Sequence, residues 1–278
     1  MSTRADLLRA AAARLDAAGV PGAAGDARAL LRWASGLSAA GFSVGLSDPA
    51  APEEAARFEA AVSAREARRP VSQIIGKREF WGRDFIVTED VLDPRPETET
   101  LIDAALQGPA PKRILDLGLG SGCILLTLLA EWPGAMGVGV DASAAALDIA
   151  RRNAAALGLE ARADLRLGDW ATGIDGPFDL VVSNPPYIAE DEMPGLSPEV
   201  RDWEPRMALT PGGDGLSPYR ILGAEAPRLL APGGRVLLEC GAGQAEAVAG
   251  MLAEAGLGGV RVHRDMDGRG RCVEGRAP

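Results

Sequence analysis

Eight residues, Leu115-Asp-Leu-Gly-Leu-Gly-Ser-Gly122, constrain what this 278-residue chain can fold into more than any others. They begin inside a short apolar run, Arg113–Leu117, and lead into Cys123-Ile-Leu-Leu-Thr-Leu-Leu, so a strand must turn into a helix within a few residues. Glycines at alternate positions permit that turn. Lacking a Cβ, they let the backbone turn sharply and let a ligand come close to the amides. The spacing G-x-G-x-G places Cys123 where a dinucleotide fingerprint needs its last glycine, so a nicotinamide cofactor is not implied. A plain tight turn is the alternative reading.

From Lys112 onward strands and helices alternate. Strands are predicted over Arg113–Leu117, 135–140, 164–167, Phe178–Ser183, 234–240, 259–263 and 271–275. Helices are predicted over 123–132, 143–157 with Ser143 as cap, 217–230 and 244–255. The order predicts a doubly wound α/β sheet, mostly parallel, with ligands at the carboxyl ends of its strands. Before it, residues 2–69 are alanine-rich, with Leu7, Leu8, Leu15, Leu30, Leu31, Trp33 and Phe58 at helical spacings. Breaks at Gly19-Val-Pro-Gly22, Gly36, 41–45 and Asp48-Pro49 cut this part into a small helical bundle. Arg65, Arg68 and Arg69 near its end read as a solvated helix end rather than a binding patch. Residues 71–91, β-branched and aromatic around Gly76-Lys77 and Gly82-Arg83, predict a hairpin. In Asp93-Pro-Arg-Pro-Glu-Thr-Glu99 two prolines bar regular structure before a helix that Glu97 or Thr98 would start. The expected division is a helical domain over 1–70, a hairpin linker over 71–92 and an α/β domain over 93–278.

Composition narrows the function. Apolar residues make up 47% and charged residues 24%, and mean hydropathy is +0.02, the balance of an ordinary globular protein. The longest apolar runs, such as 123–131, fall short of the roughly 20 residues that a membrane span needs. Asp6 and Arg9 stand where an export signal would be apolar, so a cytoplasmic location is expected. Three cysteines with no C-x-x-C pair and a single histidine, His263, imply neither a zinc site nor a disulfide framework, and no metal is expected. Net charge is −10; residues 1–90 are balanced at 12 basic and 12 acidic, whereas 91–278 hold 17 basic against 27 acidic. A larger part with that excess repels a phosphate backbone, so no direct nucleic-acid contact is expected.

Three further segments carry chemistry. Asp141 follows the strand after the glycine loop, where a carboxylate accepts hydrogen bonds from the two ribose hydroxyls of a nucleoside; its alternative role is at the start of the helix capped by Ser143. In Gly168-Asp-Trp170, Asp169 offers a carboxylate to an adenine amino group and Trp170 an indole to stack on the ring, with core packing equally open for Trp170. Ser183-Asn-Pro-Pro-Tyr-Ile188 ends the strand Phe178–Ser183. Its prolines stiffen the chain and leave carbonyls without ladder partners, so the Asn184 side chain and the Pro185 carbonyl together can hold a planar NH2 group.

The glycine loop resembles the first motif of S-adenosylmethionine-dependent methyltransferases, and Asn184-Pro-Pro-Tyr187 resembles the catalytic motif of those that methylate amide or adenine nitrogen. With Gln73-Ile-Ile-Gly-Lys-Arg-Glu-Phe-Trp-Gly, Pro94-Arg-Pro-Glu-Thr-Glu99, Glu204-Pro-Arg-Met-Ala-Leu209, Gly213-Asp-Gly-Leu216 and Leu238-Glu-Cys-Gly-Ala-Gly-Gln244 in order, residues 71–275 look like the peptide chain release factor glutamine N5-methyltransferase family (PrmC, also called HemK). Residues 1–70 resemble it only as a helical domain of suitable length. Leu119, Cys240 and Asp93 depart from the family pattern, and none removes a reacting group.

The resemblance implies a Rossmann-like class I methyltransferase sheet. It implies methyl transfer from S-adenosylmethionine to the glutamine amide in the Gly-Gly-Gln loop of class I peptide chain release factors. The cofactor would be held by Gly118, Leu119, Gly120, Ser121, Gly122, Asp141, Asp169, Trp170 and Asn184. Asn184, Pro185 and Tyr187 would be catalytic, and Pro186, Arg95 and Glu97 would join them in binding substrate, the last two at the pocket mouth. Tyr187 would pack against the glutamine side chain, meet the cationic methyl-sulfonium, or serve as plain wall. A monomer away from the membrane is expected. The competing reading is an adenine-N6 nucleic-acid methyltransferase, which shares the tetrapeptide and flips its base; a third is a helical adaptor whose α/β part only senses the cofactor.

Overall fold

Strands β3 (Arg113–Leu117) and β6 (Phe178–Ser183) are almost wholly buried, and β4 (Met136–Asp141) is half buried beside β3, as a parallel sheet covered on both faces requires. The computed structural model describes residues 2–278 and falls into two units, one formed by 2–76 with Ser197–Trp203, the other by Lys77–Leu196 and Glu204–Pro278.

In the first unit, helices α1 (Arg4–Ala17), α2 (Ala23–Ser35), α3 (Ala39–Val44), α4 (Pro52–Glu66) and α5 (Val71–Ile75) enclose Leu15, Leu30, Leu31, Phe42, Phe58 and Val62. Each such side chain, taken fully out of water, contributes roughly 1.5–3 kcal/mol. Thr3 caps α1 reciprocally with Asp6, and Gly36, at φ +67°, ends α2. Residues 71–75 are helical and not the first strand of the expected hairpin. Pro70 presets the entry, Gly76 at φ +81° ends the helix, and Val71, Ile74 and Ile75, at i, i+3 and i+4, pack on the bundle core.

Nor is the arginine cluster at the end of α4 a solvated end. The short helix α9 (Pro198–Arg201) brings Glu199 within 2.9 Å of Arg65 Nη2 and 2.7 Å of Arg68 Nε, and Arg65 also holds Asp26 at 2.7 Å. Arg69 lies over the Trp203 ring at 5.4 Å, while Trp203 Nε1 donates to the Ala67 carbonyl. Sequence alone gives no hint that residues so far along the chain complete this unit.

The second unit opens with the hairpin β1 (Lys77–Phe80) and β2 (Arg83–Ile86), turned at Trp81 and Gly82, both at positive φ, as a two-residue hairpin turn demands. A 3-10 turn at Pro96–Thr98 leads into α6 (Glu99–Leu106). The sheet continues through α7 (Cys123–Glu131), α8 (Ala144–Ala156), β5 (Ala163–Leu167), α10 (Arg206–Leu209), α11 (Ser217–Leu229), β7 (Leu230–Glu239), α12 (Ala245–Glu254), β8 (Gly258–Arg264) and β9 (Gly270–Arg276). Strand order is β5-β4-β3-β6-β7-β9-β8; the pairs from β5 to β7 are parallel, and β9 is antiparallel to both β7 and β8. This is the doubly wound, mostly parallel sheet that the alternation predicts. One face carries the core of Ile114, Leu125, Leu128 and Leu180; the other carries Leu115, Leu117, Val181, Tyr219 and Val248. Between β3 and β6 the connections leave in opposite directions, which opens a crevice at the carboxyl ends of the strands. Among the described residues no helix is long and apolar enough to cross a membrane.

Burial pushes the Glu199 carboxyl up, but hydrogen bonds from Arg68 and Arg65 outweigh it and hold the group at about 2, against an ordinary 4.5. A depressed carboxyl stabilises the fold above its unfolded pKa, and that stability is lost as pH falls from 4.5 toward 2. Glu199→Gln is therefore expected to lower the melting temperature at neutral pH, by a destabilisation on the order of 2 kcal/mol. The gap to the native protein should close in acid, followed by circular dichroism melts across that window.

Candidate active site

The crevice is built from four strand ends of the second unit. After β3 come Gly118, Gly120 and Gly122, at φ +77°, +56° and +81°. All three lie in the left-handed region, where a side chain strains the backbone, which explains the alternate glycines. Gly118 and Leu119 donate their amides to the Val140 carbonyl at 2.9 and 3.0 Å, so the loop is tied to β4. The Leu119 side chain is buried in the core, where it lies so near Gly139 that a Cβ there would stand 2.7 Å from Leu119 Cδ1. The bulk of Leu119 is thus accommodated behind the loop by a glycine on the neighbouring strand.

Asp141 ends β4. Its Oδ2 accepts from the Gly120 amide at 2.7 Å and its Oδ1 from the Ser143 amide at 2.8 Å, while Ser143 Oγ caps α8 through the Ala146 amide. The helix-start role is therefore real, and the same carboxylate braces the glycine loop. After β5, Asp169 is exposed and Trp170, at φ +47°, both lines the crevice and packs against the core. A Cβ on Gly118 would come to 3.9 Å from the Trp170 ring and 4.0 Å from the Asn184 carbonyl, so three loops meet there.

Asn184 follows β6, whose last residue, Ser183, donates its hydroxyl to the Leu117 carbonyl of β3 at 2.6 Å. Asn184 Nδ2 donates to Thr98 Oγ1 at 3.4 Å, and its Oδ1 is buried without a hydrogen-bond partner. Among the described residues no amide donates to the Pro185 carbonyl. Two acceptors thus stand free on a proline-stiffened segment. Around it, Gln244 Nε2 donates to the Tyr187 carbonyl at 2.9 Å, and Gly215, at φ +74°, crosses so close that a Cβ would sit 2.3 Å from that carbonyl. The distant segments that read as family motifs in the sequence therefore grip the backbone of the tetrapeptide.

Arg95 lines the mouth and is held by Glu204 through Nη2, at 2.6 and 2.8 Å from its two carboxylate oxygens. Burial pushes the Glu204 carboxyl up to about 7 even against Arg95. Arg95, Gly118, Leu119, Gly120, Ser121, Asp141, Asp169, Trp170, Asn184 and Pro186 are brought together around about 990 Å³ of space, open mouth included. Gly122, Pro185, Glu97 and Tyr187 do not line it. Gly122 begins α7, Pro185 is buried, and Tyr187 packs against the core beside Gly241, in the position of a wall. Its hydroxyl is held neutral by burial and by Glu239.

Sequence reasoning missed four polar residues. Asp116, fully buried in β3, accepts from the Leu125 amide at 3.2 Å at the start of α7. Asn153 of α8 bonds the Ser121 carbonyl at 2.9 Å and both backbone groups of Ile86, joining loop to hairpin. Thr98 and Glu239 are buried, and Thr98 Oγ1 is the acceptor for Asn184 Nδ2. A carboxylate inside the apolar strand Arg113–Leu117 and another closing Leu230–Glu239 were the available signals. The cysteines are buried, with Cys123 and Cys240 pushed up to about 12 by desolvation, so no thiolate is presented.

The glycine-loop crevice at a switch point, with an acidic strand end and Asn184-Pro-Pro-Tyr187 beside it, defines a methyltransferase. Residues 88–197 match the family described as methyltransferase small domain, and residues 6–76 match the PrmC N-terminal domain. A methyltransferase from Pyrococcus furiosus shares the fold, with a TM-score of 0.54 and 16% identity over 78% of this chain and 96% of that one. The release factor glutamine methyltransferase of Cereibacter sphaeroides is 58% identical, covering 99% of this chain and 98% of the relative. That of Rhodospirillum rubrum is 50% identical over 97% and 84%. The chain belongs to the release factor glutamine methyltransferase family.

Gly215→Ala tests the grip on the tetrapeptide. It combines a strained φ with a backbone clash, so a loss of about 1–3 kcal/mol is expected. A Gly215→Ala protein that melts with the native one in a thermal scan would show that the crossing is not tight.

Proposed function

We propose that this chain transfers a methyl group from S-adenosylmethionine to the side-chain amide nitrogen (N5) of the glutamine in the Gly-Gly-Gln motif of class I peptide chain release factors. The observation that carries this reading is the partnerless buried Oδ1 of Asn184, a residue that lines the glycine-loop crevice and is followed by Pro185, to whose carbonyl no described amide donates. Two acceptors so placed match the two N–H bonds of a primary amide.

The residues present fit the cofactor. The glycine loop is open to close approach, Asp141 keeps lone pairs free for ribose hydroxyls beyond the two amides it already accepts, and Asp169 and Trp170 offer an acceptor and a ring face to an adenine. When bound, S-adenosylmethionine supplies a methyl group on a sulfonium, a leaving group good enough that no strong base is needed before attack. The chain's own task is positioning. An amide nitrogen is a weak nucleophile because its lone pair is delocalised into the carbonyl. Asn184 Oδ1 and the Pro185 carbonyl hold both N–H bonds aside so that the lone pair faces the crevice. Arg95, fixed by Glu204, orders the mouth, and Tyr187 walls the segment.

A lone glutamine amide carries little specificity, so we assign recognition of the release factor to the helical part over 1–70. Its balanced charge suits a protein better than a polyanion. The acidic excess of the remainder disfavours the adenine-N6 reading. The enzyme is proposed to act in the cytoplasm as a monomer.

Incubation with release factor and cofactor should add about 14 Da to the Gly-Gly-Gln peptide in mass spectrometry, and methylation of DNA instead would overturn the assignment. Asn184→Ala is expected to lower turnover about a hundredfold or more with a smaller change in cofactor affinity; near-native turnover would remove Asn184 from the mechanism. Asp141→Ala should weaken cofactor binding by roughly 1.5–3 kcal/mol in calorimetry, and unchanged affinity would leave Asp141 with its loop and helix contacts alone.

A further inference from the structure

Most large apolar side chains that this protein exposes stand away from the crevice. Among the described residues Met207, 54% exposed, is the one such side chain that also lines it. The backbone beneath it is held at both ends. Met207 sits in α10, a single turn entered from Pro205, and the residue before that proline, Glu204, grips Arg95 at 2.6 and 2.8 Å. At the other end the Leu209 carbonyl accepts from the Ile188 amide at 3.0 Å and the Leu209 side chain is buried, while Arg206 pairs with Glu190. A thioether side chain with three rotatable bonds is thereby mounted on a fixed turn.

The same ties place Met207 along the crevice. In the strand order β5-β4-β3-β6, Asp141 ends β4 and Trp170 follows β5, whereas Asn184 follows β6 on the other side of the glycine loop. Helix α10 is bonded to Ile188, shortly beyond Asn184, and its entry is bonded to Arg95, shortly before the Thr98 that accepts from Asn184 Nδ2. Met207 therefore belongs to the amide end of the crevice and not to the nucleoside end. Pro94, Pro205 and Ala208 line the wall with it, which makes that wall apolar beside Arg95.

We propose that Met207 is a specificity-determining residue: its side chain packs on the backbone of the substrate loop at the glycine immediately before the glutamine, and so selects for glycine there. The proposal rests on the amide-methylation reading above. A glutamine side chain carries its amide on only two methylenes, so for that amide to reach Asn184 Oδ1 the main chain itself has to come down to the apolar wall. The residues before the glutamine are the ones without side chains, and theirs is the flank that can pass a wall already occupied by a thioether. With no Cβ in the way, Met207 closes on that backbone and both leave water. A methyl group at that position holds the thioether off and forfeits the contact. Met207 touches nothing that reacts; its contribution lies in binding the loop.

The test measures methylation of intact release factor, and of a form with alanine in place of the glycine before the glutamine, at saturating S-adenosylmethionine. The native protein should prefer the glycine form, and Met207→Ala should cut that preference in kcat/KM about tenfold, the size expected for one methyl group at a packed contact. The change should fall mainly in KM for release factor, with S-adenosylmethionine affinity by calorimetry as in the native protein. Met207→Leu, of similar volume, should keep the preference. Met266→Ala removes a more exposed methionine outside the crevice and should leave the preference as it was. A preference that survives Met207→Ala, or one that falls as far in Met266→Ala, overturns the assignment. So does a loss of cofactor affinity matching the loss for release factor, which would move Met207 to the nucleoside end. A second readout is independent of turnover. In full-length protein labelled with carbon-13 at its methionine methyl groups, the Met207 NMR signal, identified by its absence from Met207→Leu, should shift on adding the glycine form of release factor. A Met207 signal that the glycine form leaves unmoved overturns the contact. Should the native protein methylate no glutamine, the reading of the reaction fails, and this signal still decides whether Met207 meets the loop.

Discussion

The hydrogen bond from Ser183 Oγ to the Leu117 carbonyl, 2.6 Å long and fully buried, joins the last residues of β3 and β6. On one side of it the chain enters the glycine loop, on the other Asn184. With the parallel register of Asp116 opposite Val182, it fixes how far apart these two loops begin. The crevice exists because the chain leaves these neighbouring strands in opposite directions, and its width at the base is set by one strand spacing. The remaining contacts refine that frame: Asp141 braces the loop from β4, Asp116 meets the start of α7, and Gln244 holds the far side of the tetrapeptide.

Much of this frame was legible in the sequence. The alternation of apolar runs and turns marks β3, α7, β6 and their neighbours closely, and Ser143 is the cap it promised to be. Glycine and proline carry their meaning locally, so Gly118, Gly120 and Asn184-Pro-Pro-Tyr187 could be read without tertiary knowledge. What escaped depends on distant partners. Val71–Ile75 has strand-like residues yet is helical, because three of them find the bundle core. Arg65 and Arg68 look solvated until Glu199 arrives from far along the chain. Thr98 is unremarkable in its own segment and meets Asn184 only through the fold. Period and punctuation report what a residue does to its own backbone, and they are silent on pairing across the fold.

The polar groups around the crevice divide by what burial does to them. Glu204 and Glu239 are desolvated enough to reach the neutral range, whereas the outer carboxylates stay in pairs with arginine, as in Arg220 with Asp214. Glu204 is paired with Arg95 all the same, so burial and not pairing separates the two groups.

The return of Ser197–Trp203 to the helical unit has a consequence for how the protein is made. That unit is discontinuous: residues 2–76 leave the ribosome first, but the Glu199 ion pairs and the Trp203 contacts are contributed only after β3 to β6 have been synthesised. Its last contacts are therefore long-range in sequence although the unit is built almost wholly from local helices. A nascent helical bundle would wait, incompletely closed, through the synthesis of half the sheet. Arg68 remains without its carboxylate in that interval, while Arg65 has only Asp26.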